Sequence, residues 1–312
     1  MSTSHATPAP TPDPTPLVLG GLQLTPLQPG FAARVSGIDL GRGISDAQRD
    51  AIDAAMDRFA VLVFPDQRLD DQQLFALGCR FGAIEDAATG TYRDRQRLEN
   101  PQINDISNLH PDGSLLAADD RHRMTNLGNQ LWHSDSSFKT RPAQYSLLHA
   151  RVIPPEGGET EFADMRAAWR ALPQQRKQAA GALVCEHSMI HSRSRIGVHD
   201  FSQDELARCT PVPQRLVRRH PRTERLSLFL SSHIGGIQGW PTPEALLFIQ
   251  DLIEFATQRE FVHRHAWQVH DLVIWDNQST MHRGRPYDSH RYPRDLRRVT
   301  LQGTASTLED IV

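Results

Sequence analysis

The sequence predicts a mainly β protein with peripheral helices, arranged as a double-sheet jelly roll. Short apolar or alternating runs recur along the chain, each bounded by Gly, Pro, Asn or Asp, which is the pattern of many short strands. Only a few helical stretches stand among them. No internal repeat and no linker divides the 312 residues, a length that a large jelly-roll enzyme reaches as one domain. Residues 1–16 are expected to be a disordered tail and residues 17–312 that single domain.

The elements follow in order. Met1 to Pro16 is mostly Ser, Thr, Pro and Ala without a basic start or an apolar stretch, so it does not read as a secretory signal. Leu17 to Leu40 reads as short strands broken at Gly20-Gly21 and Pro29-Gly30. Ser45 and Gln48 form a capping box that opens a helix to about Arg58. Ala60 to Phe64 is an apolar run stopped by Pro65, a buried strand. Asp70-Asp71 caps a helix ending near Arg80, with Gly82 beyond it. Residues 83–128 are polar and irregular, and a loop of that length points to a lid or binding loop.

Gln130 to Phe138 and Tyr145 to Ile153 read as strands, Asp164 to Ala171 and Gln174 to Val184 as helices. Strands are expected at Leu216 to Arg218 and Leu226 to Ser231. Thr242-Pro243-Glu244 starts a helix with Thr as cap and Pro first, running to about Thr257. Phe261 to Trp267 alternates, Asp271 to Trp275 is a buried strand, and Arg297 to Gln302 is the last strand.

Composition excludes several function classes. A net charge of −3 gives no basic footprint for nucleic acid. No apolar stretch is long enough to span a membrane. Cys79, Cys185 and Cys209 form neither a disulfide framework nor a zinc knuckle, and a reducing cytoplasm is the expected compartment. Lys139 and Lys177 are the only lysines, which reads as composition bias toward Arg.

The chemistry is carried by His133-Ser134-Asp135 and a distant His282. Residues two apart on a strand share a face, so His133 and Asp135 would enter one cavity together. A third ligand from another strand would complete a facial set of two imidazoles and one carboxylate, which leaves positions open for substrate and oxygen and suits Fe(II). The same three ligands could hold zinc with a water, as in a hydrolase. His282 follows the buried strand and the turn Asp276-Asn277-Gln278, and Arg294 lies twelve residues beyond it, a spacing that suits a co-substrate contact. His263 and His265 also sit two apart but lack such a carboxylate, and read as structural.

These residues sit in a chain that resembles the Fe(II)- and 2-oxoglutarate-dependent dioxygenases of the taurine and 2,4-dichlorophenoxyacetate type, and most resembles the latter branch. The matching blocks include Arg80-Phe81-Gly82, Asp105-Ile106-Ser107-Asn108, Asn129 to Phe138, Pro154 to Phe162, Ala256 to Val262, Trp275-Asp276-Asn277 and Leu296-Arg297-Arg298. The resemblance implies a double-stranded β-helix fold, with His133, Asp135 and His282 as iron ligands. It implies that Arg294 and Thr160 hold the carboxylate of 2-oxoglutarate, the arginine by its bidentate fork. It implies that Arg298 faces the open metal positions and takes an acidic group of substrate or co-substrate, and that Asn129 lines the substrate pocket.

Arg297 and Arg298 alternate in direction, so one of them should face the cavity. Arg283 and Arg285 read as surface charges, and Trp132 and Trp275 as packing residues. The segment Ala87 to Arg93 has no lysine where the resemblance expects a carboxylate contact, which leaves Arg93 or Arg95 as the candidate. His233 to Gly236 is a second candidate lining segment.

The implied reaction consumes 2-oxoglutarate and O2 at Fe(II) and hydroxylates an aryloxyalkanoate beside its ether oxygen, giving a phenol and an oxo-acid. Another small anion (a sulfonate, sulfate or different carboxylate) and a non-catalytic metal-binding jelly roll are the alternatives. The expected partner is a small anionic organic molecule, not nucleic acid or membrane, with homo-oligomerisation left open.

Overall fold

The computed structural model describes residues 16–86 and 97–309. The strands are β1 (Leu17–Leu19), β2 (Leu22–Gln28), β3 (Phe31–Ser36), β4 (Val61–Phe64), β5 (Asn104–Ser107), β6 (Tyr145–Val152), β7 (Thr160–Asp164) and β8 (Val184–His187). They continue as β9 (Val212–Arg215), β10 (Val217–Arg219), β11 (Leu226–Leu228), β12 (Ile234–Ile237), β13 (Val262–His265), β14 (Leu272–Asp276), β15 (Thr280–Gly284) and β16 (Asp295–Thr300). The helices are α1 (Asp46–Phe59), α2 (Asp71–Cys79), α3 (Arg121–Asn126), α4 (Met165–Ala171), α5 (Gln174–Ala180), α6 (Met189–Ser194), α7 (Gln203–Arg208) and α8 (Thr242–Ala256).

An eight-stranded sheet runs β1-β2-β3-β4-β14-β6-β16-β5, and a three-stranded sheet β13-β7-β15 packs against its inner face. Strand alternation sorts the side chains. Leu62, Phe64, Tyr145, Leu147, Leu272 and Ile274 point outward, where α1 and α2 cover them. Val61, Val63, Leu148, Val273, Trp275 and Leu296 point inward and meet Phe162 of the smaller sheet. Both faces of the central strands are therefore buried, and this is why Val61–Phe64 and Leu272–Asp276 are unbroken buried runs. On the far side of the smaller sheet, Ala163 and Met281 pack against α4 and α8 through residues such as Ala168, Leu252 and Ile253. This is the jelly-roll arrangement that the strand pattern predicts. No helix among the described residues is long and apolar enough to cross a membrane.

The caps form as the sequence predicts. Ser45 and Gln48 make a reciprocal capping box on α1, and Asp70 and Gln73 make another on α2. Four expectations change. Gln130 to Phe138 is not a strand; it is the end of a 3-10 helix (Leu127–Gln130), one isolated bridge at His133 and a turn. The stretch 83–128 is not an irregular loop throughout, because Asn104–Ser107 pairs with β16 as an edge strand and Asp120 caps α3. The helix from Gln174 ends at Ala180, and Val184 already belongs to β8, which pairs with β9 and β12. Finally, α8 begins at Thr242 with Pro241 at the cap position, so Thr242 is the first helical residue and makes no capping hydrogen bond.

Candidate active site

His133 and His282 are joined directly through the backbone. His133 N donates to His282 O (3.0 Å) and His282 N donates to His133 O (2.8 Å), a single antiparallel bridge that fastens the segment before the turn onto β15. The chain then turns through Ser136, whose φ of 53° is left-handed. His133 and Asp135 do share a cavity, but a bridge and a turn place them there, not a continuous strand.

The three side chains converge. His133 Nε2 lies 3.8 Å from Asp135 Oδ1, and His282 Nε2 lies 3.7 Å from Asp135 Oδ2. One ligand atom from each falls within 4.8 Å of the others, and all three residues are buried. His133 Nδ1–H donates to the Leu131 carbonyl (2.7 Å), which leaves the Nε2 lone pair facing Asp135.

Asp135 is held from several directions. Its Oδ2 accepts from Ser146 Oγ (2.7 Å) and its backbone N–H donates to Asn277 Oδ1 (3.1 Å). Asn277 is itself oriented by the Trp275 indole N–H (3.0 Å), and it donates to Ser146 Oγ (3.0 Å). Arg298 Nη1 donates to Asp135 Oδ1 (2.6 Å). Burial alone would raise the Asp135 pKa, but the Arg298 guanidinium, with the Ser146 hydrogen bond, outweighs it and holds the carboxyl well below the ordinary range. Burial pushes both histidines down, so all three groups rest in the protonation states that bind a metal. Two neutral imidazoles and one carboxylate, with no thiolate, suit Fe(II).

A small cavity of about 110 Å³ opens beside His282, lined by Thr160, Leu148, Trp275, Asn129, Arg294 and Arg298 among others. Arg294 Nη2 donates to the Gly158 carbonyl (3.2 Å), and its Nε is closed from solvent without a partner. No carboxylate lies within ion-pair distance of it among the described residues. Burial lowers its pKa. A partly buried guanidinium without a counter-charge is costly unless an anion joins it. Gly158 makes room for it, since its φ is +72° and a Cβ there would lie 3.3 Å from Arg294 Nε. Thr160 Oγ1 accepts from the Trp267 indole N–H (3.0 Å), so its hydroxyl proton stays available to donate.

A larger cavity of about 580 Å³ lies on the other side of His133. Its wall includes an apolar group, Leu98, Ile103, Ile106, Leu109 and Leu116 from one stretch and Met189, Val198 and Phe201 from another, beside charged residues such as Arg97, Asp105 and Lys139. His133, Asn129 and Arg298 line both cavities.

Most expected site residues meet here. Thr160, Arg294, Arg298 and Asn129 all reach one or both cavities, while Arg93 and Arg95 lie outside the described residues. Arg298 faces inward as the alternation requires. Arg297 faces outward to Asp295 and Asp105, the latter at 3.3 Å. Trp275 is fully buried and Trp132 packs on the α4–α8 core. Arg283 is more than a surface charge, because its guanidinium stacks 4.6 Å over Trp132 and pairs with Glu161 (2.7 Å). His265 pairs with Asp271 (3.1 Å) and stays structural. Sequence reasoning missed Ser146 and Asn277 as supports for Asp135, and Arg193 as a lining residue. The turn at Asp276-Asn277 was the one signal that pointed toward Asn277.

The taurine catabolism dioxygenase TauD, TfdA family model matches residues 23–300. The chain belongs to the TauD/TfdA family. The alpha-ketoglutarate-dependent 2,4-dichlorophenoxyacetate dioxygenase of Cupriavidus pinatubonensis is 42% identical over 287 residues, covering 92% of this chain and 98% of that one. The (S)-phenoxypropionate/alpha-ketoglutarate-dioxygenase of Sphingobium herbicidovorans is 36% identical, covering 85% and 90%. The crystal structure of AAD-2 in complex with Mn(II) and N-oxalylglycine superposes with a TM-score of 0.89 at 49% identity, covering 92% of this chain and 99% of that one. This TauD/TfdA member is a 2-oxoglutarate-dependent non-heme Fe(II) dioxygenase that uses O2.

Proposed function

We propose that this dioxygenase hydroxylates an aryloxyalkanoate at the carbon beside the ether oxygen, and that the product collapses to a phenol and an oxo-acid. The observation that carries this reading is one metal-binding face shared by two unlike cavities: a small one with a guanidinium lacking a counter-charge, and a large one whose wall combines a group of apolar side chains with charged ones. The small one suits a dicarboxylate and the large one an aromatic ring with an acidic end. The 2,4-dichlorophenoxyacetate and (S)-phenoxypropionate dioxygenases among the relatives agree with it.

His133, Asp135 and His282 would hold the iron, which together with 2-oxoglutarate and O2 supplies the oxidant and releases succinate and CO2. Arg294 would pair with the distal carboxylate of 2-oxoglutarate by its planar fork, and Thr160 would donate its hydroxyl to the same group. Ser146 and Asn277 keep Asp135 in its ligating orientation. Arg298 neutralises Asp135 and stands between the two cavities, placed to meet an anion from either. Asn129 contributes an amide to both walls. The apolar wall orients the ring so that one C–H bond lies nearest the metal, because a misplaced bond wastes the oxidant. The small anion is the partner, and Cys79, Cys185 and Cys209, all free thiols, agree with a cytoplasmic location.

Succinate formation from 2-oxoglutarate with Fe(II), ascorbate and O2 tests the reading against phenoxyacetates, phenoxypropionates and taurine. Succinate matched by released phenol is expected with the phenoxy acids. Stimulation by taurine alone would move the substrate to a sulfonate. No succinate from iron-loaded protein with any acid would overturn the reading.

A further inference from the structure

The connection from β15 to β16, residues 285–294, carries Arg294 at its last position. Its start is tied to the segment before β7: Arg285 N donates to the Glu159 carbonyl (2.7 Å), and Gly158 N donates to the Pro286 carbonyl (3.2 Å). Its far end is tied by Asn108, the residue that follows β5. Asn108 is buried and borders the small cavity with Arg294, Tyr287 and Ser289.

The ladder between β5 and β16 ends with Ser107 opposite Asp295. One residue further, Asn108 N donates to the Arg294 carbonyl (3.3 Å). In a regular antiparallel pair the return bond would run from Arg294 N to the Asn108 carbonyl. Here Arg294 N donates to the Asn108 side-chain Oδ1 (2.8 Å). The Asn108 carbonyl accepts instead from Leu116 N (2.9 Å), on the wall of the large cavity. The side chain thus stands in for the backbone. Its Nδ2 donates to the carbonyls of Ser289 (2.9 Å) and Tyr292 (3.0 Å). One oxygen and one NH2 group therefore hold the connection at three points. Aspartate there could accept from Arg294 but not donate to the two carbonyls, and alanine could do neither.

Resting on the assignment of Arg294 to the distal carboxylate of 2-oxoglutarate, we propose that Asn108 is a positioning residue of the co-substrate cavity. Its amide fixes the backbone of Arg294, and with it the place from which the guanidinium reaches a carboxylate. A planar fork makes two bonds at once only from one direction, so a shift of its backbone costs affinity for that carboxylate in particular.

The test measures calorimetric binding to full-length protein loaded with Mn(II), as wild type, Asn108→Ala, Arg294→Gln and the double variant. N-oxalylglycine carries the distal carboxylate, whereas oxalate chelates a metal without one. Asn108→Ala keeps the backbone carbonyl that holds Leu116. It should weaken N-oxalylglycine by about 10-fold, the size of a lost hydrogen bond, and leave oxalate unchanged. In the Arg294→Gln background the same substitution should add nothing, because it acts through that guanidinium. A merely structural residue would not produce this dependence on Arg294. Asn108→Ala that keeps wild-type affinity for N-oxalylglycine, weakens oxalate equally, or costs as much again without Arg294 would overturn the proposal. If Asn108→Ala does not fold, Asn108→Asp decides by the same criteria, and failure of both to fold would make Asn108 a folding residue and overturn it too. Arg294→Gln that binds N-oxalylglycine as tightly as wild type would sink the co-substrate reading of Arg294 itself, and this assignment with it.

Discussion

The two cavities that share the His133 face are built differently. The small one draws its inner residues from five strands, Leu148 from β6, Thr160 from β7, Trp275 from β14, His282 from β15 and Arg298 from β16, and is completed by connecting residues such as Arg294 and Tyr287. The large one takes much of its wall from the stretches 98–116 and 189–201, in which β5 and α6 are short and the rest is connecting chain, with Arg298 and Thr300 from β16. Strand positions are fixed by ladders on both sides, so a site built on them holds one geometry. Connecting segments tolerate change without disturbing the core. Under the proposed function the architecture separates a co-substrate end anchored on strands from a substrate end built more on connecting chain, and substitutions should sort by which cavity they touch.

The largest effect should come from the face common to both. Asp135→Ala removes the carboxylate that balances Arg298 and joins the two histidines. Turnover should fall by more than about a thousandfold, some 4 kcal/mol of barrier, with the fold retained by circular dichroism. Activity near wild type would displace the metal assignment. Next, Arg294→Gln should raise the KM for 2-oxoglutarate by about 10- to 100-fold and leave the KM for the phenoxy acid alone. Equal changes in both constants would dissolve the division between the cavities.

Leu116→Ala makes the converse case. Leu116 is a buried apolar residue of the large cavity's wall. Its truncation should raise the KM for the phenoxy acid about tenfold, as for a lost hydrophobic contact, without moving that for 2-oxoglutarate. A 2-oxoglutarate KM that rose in parallel would show the wall to be mechanically tied to the sheet.

The smallest effect concerns stability behind the large cavity. His187 on β8 pairs with Ile234, next to the lining residue His233. Its ring stacks on Phe229 at 5.5 Å, both ring nitrogens lack partners, and burial lowers its pKa to about 3. An unfolded histidine titrates near pH 6.5, so the unfolded chain binds more protons between about pH 6.5 and 3. Stability should therefore fall as pH drops through that window and be indifferent to this group above it. His187→Phe should remove this part of the acid sensitivity and add about 1 kcal/mol at pH 7 by deleting unpaired nitrogens. Urea denaturation at pH 7 and pH 5 reads both effects. A destabilised variant with the original pH slope would show the imidazole to be engaged in the folded protein.

The sequence alone determined whatever depends on neighbours along the chain. Ser45 with Gln48 and Asp70 with Gln73 specify helix starts because a cap needs only residues three apart. The runs at Val61 and Leu272 specify buried strands, and strand period sends Arg298 inward and Arg297 outward. The resemblance of ordered blocks carried the rest of the ligand set. Tertiary structure decided what depends on contact between distant residues. Asp135 takes its place from Asn277, 142 residues away, and His133 takes its place from a bridge to β15. No local pattern reveals that β5 forms within an apparently irregular stretch, since an edge strand is held by its partner β16 as much as by its own residues. The close approach of Arg193 to Gly128 is equally invisible in sequence, because the glycine answers a side chain brought to it by a remote helix and not a turn of its own backbone.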